Sequence, residues 1–119
     1  KRLAVVNARF AKPLDEKALR REFGRQPKIF TLEDHVRAGG FGSAVLEHAN
    51  ACRLDESKLE VIAIDDHFVD HAQRFEALQA AGLDVHSIVT RVEKTLGLEE
   101  AQAPSSETID QRQDRKVRP

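Results

Sequence analysis

A short apolar run, Ile29-Phe30-Thr31-Leu32, ends in two acids, Glu33 and Asp34. A glycine-rich turn, Gly39-Gly40-Phe41-Gly42-Ser43, follows, and then a stretch with helical periodicity. Strand, turn and helix in that order build an open α/β sheet, whose sites gather beyond the carboxyl ends of its strands. The glycines permit positive φ and close backbone approach. Ser43, or Gly42 itself, can cap the helix by meeting its unpaired amides. Those amides can also hold an anion. The plainer reading is that the glycines let the helix sit tightly on the sheet, and the pattern favours it. G-G-x-G-S is not the dinucleotide fingerprint G-x-G-x-x-G, and no Gly-Lys-Ser/Thr makes it a Walker loop. Glu33, Asp34, Gly39, Gly40, Gly42 and Ser43 are therefore the candidates for an interface or an anion contact.

The chain has 119 residues, enough for one domain. A net charge of −1 gives no general attraction to nucleic acid or to a membrane surface, so neither is an expected partner. No run approaches the roughly 18 apolar residues of a membrane helix. The single Cys52 excludes an internal disulfide and a multi-cysteine zinc site. It is expected on an apolar helix face, as a small core residue in a reducing compartment. There is no Met and residue 1 is Lys, so a fragment, a domain excerpt or a processed chain is expected. No targeting segment is visible.

In chain order, Leu3-Ala4-Val5-Val6-Asn7-Ala8 is a continuous apolar run, suited to a strand buried on both faces. Pro13 holds Lys12 extended. Asp15 caps a helix over 16–23, with Leu19 and Phe23 on one face and Gly24 as its stop. A second strand covers 28–33. The next helix covers 41–52 and buries Phe41, Val45, Ala49 and Cys52. After a polar connection at 54–57, a third strand spans 59–65. A helix over 73–81 turns Phe75 and Leu78 inward and closes at Gly82. Asp84 caps a last helix with Val85, Ile88, Val89, Val92 and Leu96 inward, closed by Gly97. Residues 98–119 are polar and charged, with Ile109 isolated, and read as a disordered tail.

His67 and His71 stand four apart, and with Asp66 or Asp70 they have the spacing of metal ligands on a helix face. A capped turn with Phe68 in the core explains the same residues, and no third ligand is implied. Metal is therefore not assigned.

Strands alternating with helices imply parallel pairing and right-handed crossovers, in a three-layer αβα arrangement. Three strands are few for so many covering helices. At least one further strand upstream of Lys1 is expected.

The segment Asn7-Ala8-Arg9-Phe10-Ala11-Lys12-Pro13-Leu14-Asp15 resembles the "ARFxKPLD" segment of the 1-deoxy-D-xylulose-5-phosphate synthases. Leu32-Glu33-Asp34 followed by Gly39 to Val45 resembles their next block. Asp66-x-Phe68-x-x-His71, then Ala81-Gly82-Leu83-Asp84 and Ile88, resembles their closing block. Three blocks in order over residues 3–97 make the match specific. Transketolases and the β subunits of 2-oxoacid dehydrogenases share these features more loosely.

The resemblance implies a transketolase-like C-terminal domain over 1–97, lacking its first strand and helix. It implies a parent enzyme that is a homodimer using thiamine diphosphate and Mg²⁺. That enzyme condenses pyruvate with glyceraldehyde 3-phosphate, releasing CO₂, to begin the methylerythritol phosphate route to isoprenoids. The diphosphate, metal and pyrimidine-activating groups belong to two earlier domains. No catalytic, cofactor-binding or metal residue is expected here, and this chain alone is expected to bind neither cofactor. Its partners would be the remaining domains of the same synthase and the other subunit, in a bacterial cytoplasm or a plastid. Two other readings stand beside it. One is a free-standing interaction module or a piece of a split transketolase-like enzyme. The other is a small anion- or nucleotide-sensing domain using the glycine turn.

Overall fold

The computed structural model describes residues 3–67 and 72–98. Its elements are α1 (Glu16–Arg25), β1 (Ile29–Val36), α2 (Phe41–Ala51), a single 3-10 turn (Glu56–Lys58), β2 (Leu59–Ile64), α3 (Arg74–Ala80) and α4 (Val85–Thr95). The strands pair in parallel, Ile29 opposite Leu59 and Leu32 opposite Ile62. A parallel pair needs a crossover, and α2 supplies it. The alternation predicted from the sequence is therefore present, as an α/β fold.

The two faces of the sheet follow from the period of two along each strand. Thr31 and Val61 face α2, because a Cβ built on Gly42 would strike both. Glu60 faces α4, where Arg91 and Thr95 donate to its carboxylate. Leu32 and Asp34 face the cavity lined by α3 and α4. Helices thus lie on both sides of the sheet. The main buried cluster is on the α1–α2 side: Phe23, Val45 and Ala49 are buried, and Leu14, Leu19, Ile29, Phe41, Leu54 and Leu59 pack around them, while Ile62 is buried on the opposite face.

Local signals explain the ends of the helices. The Asp15 carboxylate accepts from the Ala18 amide at the start of α1. Asp84 accepts from the amides of His86 and Ser87 at the start of α4. Gln73 and Glu76 close a reciprocal capping box at α3. Gly82 and Gly97 take the left-handed conformation just past α3 and α4, as expected of closing glycines.

Four expectations are corrected. Residues 3–8 form no strand, and Leu3, Val5 and Val6 are 73%, 96% and 59% exposed. An apolar run gains nothing as a strand without a neighbour to share its hydrogen bonds, and no described strand lies alongside it. The sheet therefore has two strands among the described residues, not three. Gly24 does not stop α1. The helix continues to Arg25 and ends where Pro27 forces Gln26 into extended geometry. Val85 and Val89 do not face inward, being 79% and 46% exposed. Arg91 and Thr95 are tied to Glu60 on the sheet, which turns Val85 and Val89 outward while Ile88, Val92 and Leu96 stay half-buried. Phe75 is likewise 66% exposed, while Leu78 lines the cavity beneath α3. The predicted tail at 98–119 lies, from residue 99 on, outside the described residues.

Candidate functional site at the strand ends

The pairing slips near the end of β1. Leu32 sits opposite Ile62, but Val36 sits opposite Ile64. Glu33, Asp34 and His35 therefore share the space opposite Ala63 alone. Such a bulge bends its strand and re-aims side chains. Here it sends neighbouring acids to different helices.

Glu33 goes to α2. Its Oε2 accepts from the Phe41 amide at 2.6 Å and its Oε1 from the Gly42 amide at 2.8 Å. Gly40 is the N-cap of α2 and supplies no side-chain bond. A Cβ on Gly40 would press on the Glu33 carboxylate and lie 2.6 Å from the Val36 carbonyl oxygen. The positive end of α2 is thus met by the chain's own carboxylate, over a glycine that leaves room for it. Gly42 serves the other contact, since its Cβ would strike Val61 and lie 2.8 Å from Thr31 Oγ1. Gly39 holds a φ of +73° in the turn between them. Ser43 does not cap the helix as expected; its hydroxyl donates to the Arg37 carbonyl oxygen.

Asp34 goes to α3, 2.7 Å from Arg74 Nη2, and both are exposed. The pair stands at the rim of a cavity of about 210 Å³ floored by Leu32, Leu78, Leu83 and Ile88. The structure thus brings Glu33, Gly40 and Gly42 into one clamp, with Gly39 and Ser43 in the turn beside it. Asp34 belongs to a separate contact.

Arg37 is the residue that sequence reasoning passed over. Its Nε and Nη2 donate to Asp65 Oδ1 at 3.0 and 2.8 Å, and its Nη1 donates to the Val61 carbonyl oxygen at 2.8 Å. Its own amide donates to the Ile64 carbonyl oxygen, and its carbonyl receives Gly40 and Ser43. One arginine therefore joins the turn to the end of β2. The Arg37 hydrogen bonds hold the Asp65 carboxyl below its usual range. A lone arginine between a strand and a glycine turn has no motif, so nothing in the sequence marked it.

Cys52 is half-buried rather than in the core. It lies at the C-cap of α2, where Arg20 Nη2 reaches its Sγ at 2.9 Å. Asp66 and His67 are exposed, while Phe68, Asp70 and His71 lie outside the described residues. Among the described residues no three His, Cys, Asp or Glu side chains gather as a metal site. No described helix is long and apolar enough to cross a membrane.

The model of the transketolase C-terminal domain matches residues 1–88. The chain belongs to that family. Its relatives include proteins named 1-deoxy-D-xylulose-5-phosphate synthase. That of Pelotomaculum thermopropionicum is 43% identical over 89 residues, 75% of this chain and 14% of the relative. That of Thermus thermophilus is 44% identical over 87 residues, 73% of this chain and 14% of the relative. That of Gloeobacter violaceus is 43% identical over 100 residues, 84% of this chain and 16% of the relative. The chain therefore spans about one seventh of the length of these relatives, and the resemblance read from its three blocks is to the right family.

The described residues do not fit a diphosphate–Mg²⁺ group. The first amides of α2 are committed to Glu33, Asp34 to Arg74 and Asp65 to Arg37.

Proposed function

We propose that this chain is the C-terminal structural and dimerisation domain of a thiamine-diphosphate-dependent 1-deoxy-D-xylulose-5-phosphate synthase. The parent enzyme would condense pyruvate with glyceraldehyde 3-phosphate and release CO₂ for isoprenoid precursor synthesis, in a bacterial cytoplasm. Thiamine diphosphate and Mg²⁺ would be held by its other domains. This chain would be inactive alone. Its partners would be those domains and the second subunit.

The observation that carries this reading is the clamp at the strand ends. Glu33 accepts from the Phe41 and Gly42 amides, the Arg37 carbonyl accepts from Gly40, and the Arg37 guanidinium donates to Asp65 and the Val61 carbonyl, which ties α2 and its turn to both strands. Groups satisfied in this way set the shape of a surface rather than the chemistry of a substrate. The identity to synthases over most of this chain supports the assignment to that parent. The anion-sensing alternative would require a ligand to displace Glu33 from the amides of Phe41 and Gly42.

The test is Gly40→Ala and Arg37→Ala in the full-length synthase, read by sedimentation and by steady-state activity. Loss of dimer together with activity is the expected result. An unchanged dimer with unchanged activity would end the assignment of this turn to the interface.

A further inference from the structure

One backbone atom on β2 takes donors from two separate parts of the fold. The Val61 carbonyl oxygen accepts from Arg37 Nη1 at 2.8 Å, out of the turn before α2, and from Arg91 Nη2 at 3.3 Å, out of α4. The Arg37 amide donates to the Ile64 carbonyl oxygen across the ladder between the strands. Carbonyls alternate in direction along a strand, so that of Val61 points to the edge of β2 away from β1. Two cations therefore lie on that edge, where charged side chains guard against pairing.

Each arginine brings its own carboxylate, Asp65 with Arg37 at 2.8 Å and Glu60 with Arg91 at 2.7 Å. Both arginine side chains are half-exposed, so hydrogen bonds rather than packing set where they rest. The Arg37 hydrogen bonds chiefly hold the Asp65 carboxyl below its usual range, and the nearby charge of Arg91 adds to the effect. A carbonyl oxygen has two lone pairs and can hold both donors, but the like charges they carry repel. Each arginine therefore bonds Val61 more weakly than it would with the other gone.

We infer that Arg37 is a standby donor for the edge of β2. When α4 loosens and Arg91 leaves the Val61 carbonyl, Arg37 closes more firmly on it. The end of β2 and the glycine turn then stay joined through the Arg37 backbone, whose carbonyl holds Gly40 and Ser43. The α4 layer can thus move without opening the strand edge beneath it. The inference does not depend on the synthase reading, since it concerns only contacts inside this chain.

A double-mutant cycle on the 119-residue chain tests it, with Arg37→Met and Arg91→Met read by urea unfolding. The double change should raise the unfolding equilibrium constant beyond the product of the two single changes, by about twofold or more. Equality with that product would make the arginines independent, and a smaller effect would make them mutually supporting; either would overturn the inference. Arg91→Met gives a second reading that needs no Arg37 variant to fold. Exchange of the Arg37 Nε proton with solvent should slow in it, while the amides of α4 exchange faster. An Arg37 proton that exchanges at an unchanged or higher rate would overturn the inference as well.

Discussion

The two faces of this small sheet are held by different forces. On the α1–α2 face, Phe23, Val45 and Ala49 are 3%, 0% and 0% exposed and pack on one another. On the α3–α4 face no helix residue is fully buried; the burial there is of Ile62 on β2 and Leu83 before α4, at 1% and 8% exposed, and hydrogen-bonded charge joins the rest. Arg91 and Thr95 hold Glu60, and Arg74 holds Asp34. Close packing gives one rigid arrangement, because every methylene matters at that density. Partly exposed ion pairs give much less, since solvent screens them and long side chains must be ordered. The first face is accordingly the scaffold, and on the second the charged helix layer over Ile62 is the part expected to loosen first.

Substitutions should separate the faces most clearly at their extremes. Phe23→Ala empties the middle of the packed cluster and should cost about 3–5 kcal/mol in chemical denaturation. If it cost less than the exposed-face changes below, the division into scaffold and layer would be wrong. Gly42→Ala comes next. Its new methyl meets Val61 and Thr31 on strands that cannot retreat, and a loss of about 1–3 kcal/mol is expected in the same assay. Thr31 already buries a hydroxyl without a hydrogen-bond partner there, so the site has little tolerance left.

Glu33→Gln probes the clamp that ties the scaffold together. The amide keeps one acceptor but loses the charge that two helix amides now share. A loss of about 1–2 kcal/mol is expected by thermal or urea melting, in the range of a lost N-cap. Glu33→Asp should not rescue it, because the shorter side chain cannot span from β1 to both amides. A full rescue would show that charge near α2, rather than this geometry, is what counts.

How much of this was legible beforehand differs by face in the same way. Ile29–Leu32, the glycine turn and Val45–Ala49 announce a strand, a turn and a buried helix, because apolar periodicity reports packing directly. The packing reading of Gly42 follows from the same pattern. The ties made by single charges do not show. Arg37 could have pointed anywhere, and the bulge that parts Glu33 from Asp34 depends on a register that only the partner strand sets. Periodicity also misled on α4. Of the predicted inner face of Val85, Ile88, Val89, Val92 and Leu96, Ile88, Val92 and Leu96 are half-buried, and only Val85 and Val89 turn out, because Arg91 and Thr95 fix which side meets the sheet. Residues 3–8 failed for a related reason, since a strand is a property of a pair and the run reports only one member.

The smallest effect belongs to the charged layer and appears with pH. Burial raises the Glu60 pKa, but the Arg91 and Thr95 hydrogen bonds outweigh it, so the carboxyl titrates below its ordinary 4.5. A depressed folded value means that the unfolded chain binds the proton first as the pH falls. The stability Glu60 contributes is therefore fully present above pH 4.5 and is lost as the pH drops toward and through the folded value. Asp65 follows the same sign through Arg37, from an ordinary 3.8. Urea midpoints taken from pH 6 down to pH 3 should fall in the wild-type chain and fall less in Glu60→Gln. Arg91→Met should flatten the same part of the curve, because it removes the donor while keeping most of the apolar stem. Val89→Ala, on the exposed stripe of the same helix, should leave both the midpoint and the curve within about 0.5 kcal/mol of the wild type. If instead Val89→Ala cost as much as Gly42→Ala, the stripe would be packed in solution. The α3–α4 face would then be part of the scaffold rather than a layer laid on it.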